Sequence, residues 1–585
     1  MKSALLLVLA AGCISIPEKQ HPACTTNSDC ASGEVCGEGV CWGNPPMGMF
    51  AATLVPPSDR ADLVQTQLPA LMIPPDGWLG DVALEAPVTF SGRVEAYCTG
   101  STACTTSSIP ATITVTRGPR FPGGPSFHAV ADAKDGIARG STSFSLGVPK
   151  THAGDPDYIV TVMPDGRGAQ PPTNGTTSPA ELAPPLRMTL SAAGDLPAAT
   201  LTLGTADAQV ISGTLTDGNG HALQNYRVAA IGRWDAAEAP LEVSTVDYTA
   251  NGTFSITLAQ GITGNVEIVA TPYDSNVVLP TLHLPNIAPY AAQKLLAAPP
   301  SLGNPVAVTI PITGVAGSGQ IQPVAGARVI VRSIYNPTLA GGARAEIVTD
   351  VTTGDDGVAK LTLLDGSAFA ANYVLRVIPP VGSNLGVIYD SPWMLESSGT
   401  EVRLAQRVAV RGTLLDKRGA PIAGASVTAR PSLRFQWGLV GGEQDFLNQI
   451  PAPTAVTTDS GDFVVWVDPY IDMTWGTYDL DIEPASGDDV PSWTVPAIDI
   501  PRAGQPTLTL GAIAVPDAAN IHGRLVDPAQ NPVDGGELRV FSLAGDTSAC
   551  SQSQYPPNPC VIPAPLVGHG TSDPVGVVRL TLPRQ

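Results

Sequence analysis

Residues 411–429 read RGTLLDKRGAPIAGASVTA, and residues 212–230 read SGTLTDGNGHALQNYRVAA. The two stretches share one order: a glycine-bearing strand, a turn of Asp, Gly or Asn type, then a second apolar strand. An Asp/Gly/Asn cluster reverses the chain because glycine accepts positive φ and the Asx side chain bonds its own turn. Five such starts occur, FSGRVEA at Phe90, ISGTLTD at Ile211, ITGVAGS at Ile312, VRGTLLD at Val410 and IHGRLVD at Ile521. Their glycines, Gly92, Gly213, Gly314, Gly412 and Gly523, are 121, 101, 98 and 111 residues apart. That spacing is the length of one small β-sandwich, so each copy is expected to be a domain.

Further along each of the later copies comes a hairpin, TANGTFSIT at Thr249, TTGDDGVAKLTL at Thr352, TTDSGDFVVWV at Thr457 and TSDPVGVVRLTL at Thr571. Four copies then carry a strand that ends in proline: YIVTVMP, VEIVATP, YVLRVIP and YDLDIEP. Pro164, Pro272, Pro379 and Pro484 have no N–H to give to a ladder and therefore close that strand. The last copy runs to LTLPRQ without such a strand, so its sheet is expected to lack an element unless a neighbour supplies one.

Composition points the same way. The chain has 585 residues with 60 Gly and 57 Pro and only 14% charged residues, which disfavours long helices and favours short strands joined by turns. A formal charge of -21 leaves no basic stripe to displace counterions from phosphates, which excludes nucleic acid as a partner. Beyond the first residues no apolar run is long enough to cross a bilayer as a helix.

The chain opens MKSALLLVLAAGC, where Lys2 precedes a short apolar run that suits an export signal. Its end resembles the lipobox of bacterial lipoproteins, with Ala10 at the position usually held by Leu. The resemblance implies cleavage after residue 12, acylation of Cys13 and membrane attachment through that lipid. With Ile14 after the cysteine, it also implies an outer-membrane or cell-surface location.

Setting Cys13 aside leaves eight cysteines in three local groups, an even number in an exported chain. Cys24, Cys30, Cys36 and Cys41 lie within eighteen residues, too few to bury a core, so two disulfides are expected there with open connectivity. A zinc site would call for paired C-x₂-C knuckles, and the gaps here are longer. Cys98 with Cys104, and Cys550 with Cys560, are expected to close small loops.

The glycine-led strand, the turn, the hairpin and the proline-ended strand together resemble the carboxypeptidase regulatory-like domain, a transthyretin-like Greek-key sandwich of about seven strands. The resemblance covers residue 86 onward, with the first copy diverged by its Cys98 to Cys104 insertion. It implies a fold more than a function, because such modules recur as noncatalytic parts of many proteins.

The expected architecture is therefore all-β, a tandem array of about five Ig-like or transthyretin-like sandwiches after a small stapled segment. Its parts are a signal at 1–12, a Cys-rich segment at 13–42, and a linker or extra strand at 43–85. Sandwiches follow at 86–205, 206–305, 306–405 and 406–515, and an incomplete one at 516–585. Pro-rich stretches between copies suggest an elongated row.

Chemistry is sparse. The seven histidines are scattered, H-E-x-x-H is absent, and there is neither a G-x-S-x-G elbow nor a phosphate loop. No catalytic residue, metal ligand or cofactor is therefore assigned, and an exported hydrolase is the least favoured reading. Asp217, Asp355, Asp356, Asp459 and Asp462 invite a calcium reading, but His221 and Ala222 break the EF-hand pattern and turn formation explains them. Four of the eight tryptophans, Trp437, Trp466, Trp475 and Trp493, lie in the copy from Gly412. Trp437, Trp475 and Trp493 are candidates for stacking on a polysaccharide, with core packing as the competing explanation. The expected role is a noncatalytic, lipid-anchored envelope protein acting as an adhesion or interaction scaffold, with a polysaccharide or another envelope protein as partner.

Overall fold

A computed structural model describes residues 24–584 except 47, 49, 98–108, 118–125, 134–141, 153–156, 166–182, 195, 206, 218–219, 235–239, 250, 274–277, 290–292, 297–301, 316–318, 336–343, 371, 433–449, 470–476, 486–489, 501–505, 517 and 543–565. The architecture is all-β, with β-sandwiches in tandem and a disulfide-stapled segment ahead of them.

Each copy builds the same two sets of strands, which in the first copy are joined into one seven-stranded sheet where Ser126–Ala133 pairs with Thr142–Val148. In the first set, the glycine-bearing strand lies between a hairpin strand, antiparallel to it, and a closing strand, parallel to it. In the fourth copy these are Val408–Leu415 between Asp462–Val467 and Thr507–Ala514. In the second sheet the order is Thr454–Val456, Ser426–Pro431, Thr477–Glu483, Trp493–Asp499. Alternation of apolar and polar residues sends Phe463, Val465 and Val467 inward against Val427, Leu480 and Ile482, which makes the core.

The turn chemistry is repeated as closely as the strands. Asp217, Asp416 and Asp527 each accept the N–H four residues on, at 2.8, 2.7 and 2.9 Å, and so hold the first reversal. A buried hydroxyl, from Thr249, Thr353, Thr457 or Ser572, accepts the N–H of Tyr226, Ala327, Ala425 or Gly536. Three of them also donate, to Val324 O, Ile422 O and Val533 O, so one side chain satisfies two backbone groups that water does not reach. The hairpin glycines Gly252, Gly357, Gly461 and Gly576 sit at φ 74, 70, 76 and 82°, where their carbonyls receive the opening strand at 2.7 to 2.8 Å. A Cβ there would press on the facing carbonyl, which makes glycine the residue that fits.

The four proline-ended strands form as Tyr158–Pro164, Val266–Pro272, Tyr373–Ile378 and Thr477–Glu483. Tyr158 and Tyr373 are fully buried and donate to Pro149 O and Leu364 O, both at 2.9 Å. Burial pushes the Tyr373 hydroxyl up to about 12.

Of the two alternatives left open for the fifth copy, the one observed is a strand supplied from elsewhere in the chain. The copy is complete, and residues 43–85 complete it. Phe50–Val55 pairs antiparallel with Glu537–Ser542, in the place that the proline-ended strand holds in the other copies. Thr66–Leu71 follows it at the sheet edge, and Trp78–Ala83 runs parallel to Ala518–Val526 as the closing strand. Phe50, Ala52, Leu54, Leu63, Val82 and Leu84 share one core with Ile521, Leu525, Leu538, Val540, Val578, Leu580 and Leu582. The copies therefore follow one another in a closed circuit along the chain, in place of a row with two free ends.

The copies are also less independent than their spacing suggests. Thr281–Ile287 of the second pairs with Arg344–Thr352 of the third, fusing their second sheets into one of nine strands over a common core.

Candidate functional site

Cys24 is bonded to Cys36 and Cys30 to Cys41, which settles the connectivity left open above. Asp29 accepts the N–H groups of Thr25 and Thr26 at 2.8 and 2.9 Å, bonds that hold its carboxyl down at about 2. Asn27 Oδ1 accepts the Cys36 N–H at 2.9 Å, and Glu34–Gly37 pairs with Val40–Gly43 as a hairpin. Too small for a core, this segment presents one large ring, Trp42, whose Nε1 donates to Gly37 O at 2.8 Å.

That ring is the contact with the fifth copy. Trp42 pairs with Asn520 across the strands and packs against His522 in a tilted contact, with centroids 4.1 Å apart and ring planes 51° from parallel. Trp78, from the closing strand, covers the same imidazole at 4.9 Å. His522 thus lies between a buried indole and one that is 39% exposed. Its Nδ1 is buried and has no hydrogen-bond partner among the described residues. Burial, with the Arg579 charge next in weight, depresses the His522 pKa below its ordinary value. Polar contacts surround these rings. Asn520 Nδ2 donates to Cys41 O at 3.2 Å, Arg579 pairs with Glu38 at 3.3 Å, and Arg584 binds Glu34 and, at 3.0 Å, Asn44 O. Gly43 and Gly77 let three backbones meet: a Cβ on Gly77 would stand 2.9 Å from Gly43 N and 3.0 Å from Asn520 O. The site is a clasp, in which residues 24–85 grip residues 518–584.

The joints between copies differ in kind. Between the third and fourth, Asp468 is buried and accepts from Val387 N at 3.1 Å, Tyr389 Oη at 2.8 Å and Arg407 Nε at 2.9 Å. Burial and the neighbouring Asp468 charge hold the Tyr389 hydroxyl far above its usual range. At the seam of the second and third, His283 Nδ1 lies 2.7 Å from Glu267 and its Nε2 3.5 Å from Glu346, which also pairs with Arg332. The hydrogen bond from His283 lowers the Glu267 carboxyl against the opposing effect of burial. The joints flanking the fifth copy are polar and half exposed. Glu85 accepts from Lys150 N at 2.8 Å and meets His152 at 2.9 Å, while His569 meets Glu483 at 3.5 Å. The first copy touches the second where Arg187 lies 5.9 Å above the Trp234 ring.

Of the residues singled out from sequence, Cys13, Cys98, Cys104, Cys550, Cys560, Trp437 and Trp475 lie outside the described residues. Trp493 is half-buried and packs against the core of the fourth copy, opposite Ile482, and Trp466 is half-buried opposite Ala409. Asp217 and Asp462 are engaged in turn and strand contacts, with His221 for the first and Thr413 and Ser460 for the second. Sequence reasoning missed Trp42, Trp78 and His522, although FAATLVPP at Phe50 carries the signal of the other proline-ended strands: an apolar run and a closing proline, with the aromatic start that three of those four also have.

No protein family and no curated protein matches the chain. Among solved structures, the Bacillus anthracis TIE protein is 12% identical and covers 73% of this chain and 75% of its own, at a TM-score of 0.14. The Streptococcus agalactiae minor pilin GBS52 is 14% identical over 36% of this chain and 94% of its own, at a TM-score of 0.19. The major pilin subunit of Bacillus cereus is 9% identical over 53% and 99%, at a TM-score of 0.14. At these values the likeness carries no conclusion about activity or assembly, and the tandem sandwiches rest on the strand pairings described above.

Proposed function

We propose that this chain is a noncatalytic scaffold of the cell envelope, held to an outer membrane or cell surface by lipid on Cys13, that presents its sandwiches to a partner. The copies are read as carboxypeptidase regulatory-like modules. The observation that carries the proposal is the clasp. Cys24, eleven residues after Cys13, begins a stapled segment seated on the fifth copy through Trp42, Glu34 and Glu38. A lipid at Cys13 would therefore place the fifth copy next to the membrane and leave the other four looped away from it. Two or three acyl chains, at ~0.8 kcal/mol per buried CH₂, would make that attachment durable. The test is metabolic labelling with an alkyne fatty acid followed by fractionation. Label in the membrane fraction that disappears in Cys13→Ala supports the reading, and an unlabelled, freely soluble native chain contradicts it.

Polysaccharide binding through the fourth copy is the second reading, motivated by the partial exposure of Trp466 and Trp493. Stacking of a sugar on either ring would shift its fluorescence during titration with envelope glycans. An unchanged spectrum with every glycan would end it.

A further inference from the structure

The fifth sandwich is assembled from two stretches of chain separated by the other four copies, and the contacts that join them are indifferent to which molecule supplies each stretch. We infer that the fifth copy is an acceptor for a second copy of this chain: residues 24–85 of one molecule complete residues 516–585 of another.

The donor surface is specific. Phe50, Leu54, Val82 and Leu84 fill the acceptor core, Phe50–Val55 and Trp78–Ala83 supply ladder partners on both sheets, and Trp42 seals His522. The same pairings form in the closed monomer and in an exchanged pair. The balance between them is therefore set by effective concentration and by the joints that hold the circuit closed. Those joints are uneven. The second, third and fourth copies are tied by a shared sheet and by buried Asp468. On either side of the fifth copy, the described contacts include the half-exposed pairs of Glu85 with His152 and of His569 with Glu483, and the Lys150 N–H donated to Glu85. Such pairs hold little and are screened by salt. When the fifth copy itself opens, these joints do little to hold its two stretches side by side, and an unsatisfied acceptor and an unsatisfied donor stand on the same molecule. A second copy is the one partner whose strands carry the matching register.

Two full-length variants test this by complementation. Leu54→Asp spoils the donor and Leu580→Asp spoils the acceptor, and both side chains are at most 2% exposed. Each variant alone is expected to show a protease-sensitive fifth copy. Unfolded and refolded together, they are expected to give a heterodimer in which one fifth copy is protease-resistant. Wild-type chains with two different tags, refolded together, should co-purify in a fraction that rises with protein concentration and with salt up to 0.5 M on the order of several-fold. Mixtures that remain monomers, together with tagged wild-type chains that never co-purify at any concentration, would overturn the inference. Co-purification that persists equally when both partners carry Leu54→Asp would also overturn it, because the contact would then lie elsewhere.

Discussion

The fourth copy draws its strands from residues 408–514 in unbroken order, whereas the fifth draws four from 518–583 and three from 50–83. Both reach the same strand order and the same turn bonds. The buried hydroxyl of Thr457 is matched by Ser572, and the carbonyl of Gly461 by that of Gly576. What the difference teaches is that each strand's register is set by its own alternation and its own turn, not by continuity of the chain. The cost of discontinuity falls on folding. The fifth copy has to bring together segments more than 430 residues apart, so it is expected to close last.

Deleting residues 577–585 should break the comparison outright. It removes Val578, Leu580 and Leu582 from the core, and losing even one such side chain costs about 2 to 5 kcal/mol. The fifth copy should unfold, and limited proteolysis should cut near Phe50 while leaving the fourth copy intact. Asp468→Ala should be next in size, at about 3 to 5 kcal/mol, because it takes the buried carboxylate away from the Arg407 charge and from the Tyr389 hydroxyl and Val387 N–H that donate to it. That loss should appear as a lower melting transition of the third and fourth copies, with the fifth unchanged. Thr457→Val and Ser572→Ala sharpen the likeness. Each leaves a buried N–H unpaired, so each should cost about 1 to 3 kcal/mol in its own copy, read by denaturant melts.

The smallest effect is one the fourth copy lacks. The His522 pKa is lowered on folding from an ordinary 6.5, so its contribution is present above that value and is lost as pH falls through the folded value. Acidification from pH 7.5 to 5 should loosen the stapled segment, seen as a change in tryptophan emission. Trp42→Ala should abolish the change.

Much of this was legible beforehand because it is local. Asp416, Gly461 and Tyr478 announce a turn, a hairpin and a strand within a few residues of themselves. Two of the disulfides were legible as a group, while their pairing depended on how Asn27 and Trp42 fold the segment. The clasp was not legible as a site. Trp42, Trp78 and His522 are 480 residues apart at the extremes, and no periodicity links them. The strand at Phe50 had the right pattern, but it precedes every glycine start, so it could not be assigned to a copy by its position. The fused sheet escaped for a related reason: an edge strand such as Thr281–Ile287 carries no mark of what it will pair with.

Hydrogen exchange on the full chain carrying Leu580→Ala tests the central claim most directly, since that residue is distant in sequence from Phe50–Val55 yet shares its core. The account predicts that amides in Phe50–Val55 and Glu537–Ser542 gain exchange together and by the same factor, with those of Thr477–Glu483 unmoved. Unchanged protection at Phe50–Val55, alongside faster exchange in Glu537–Ser542, would contradict it.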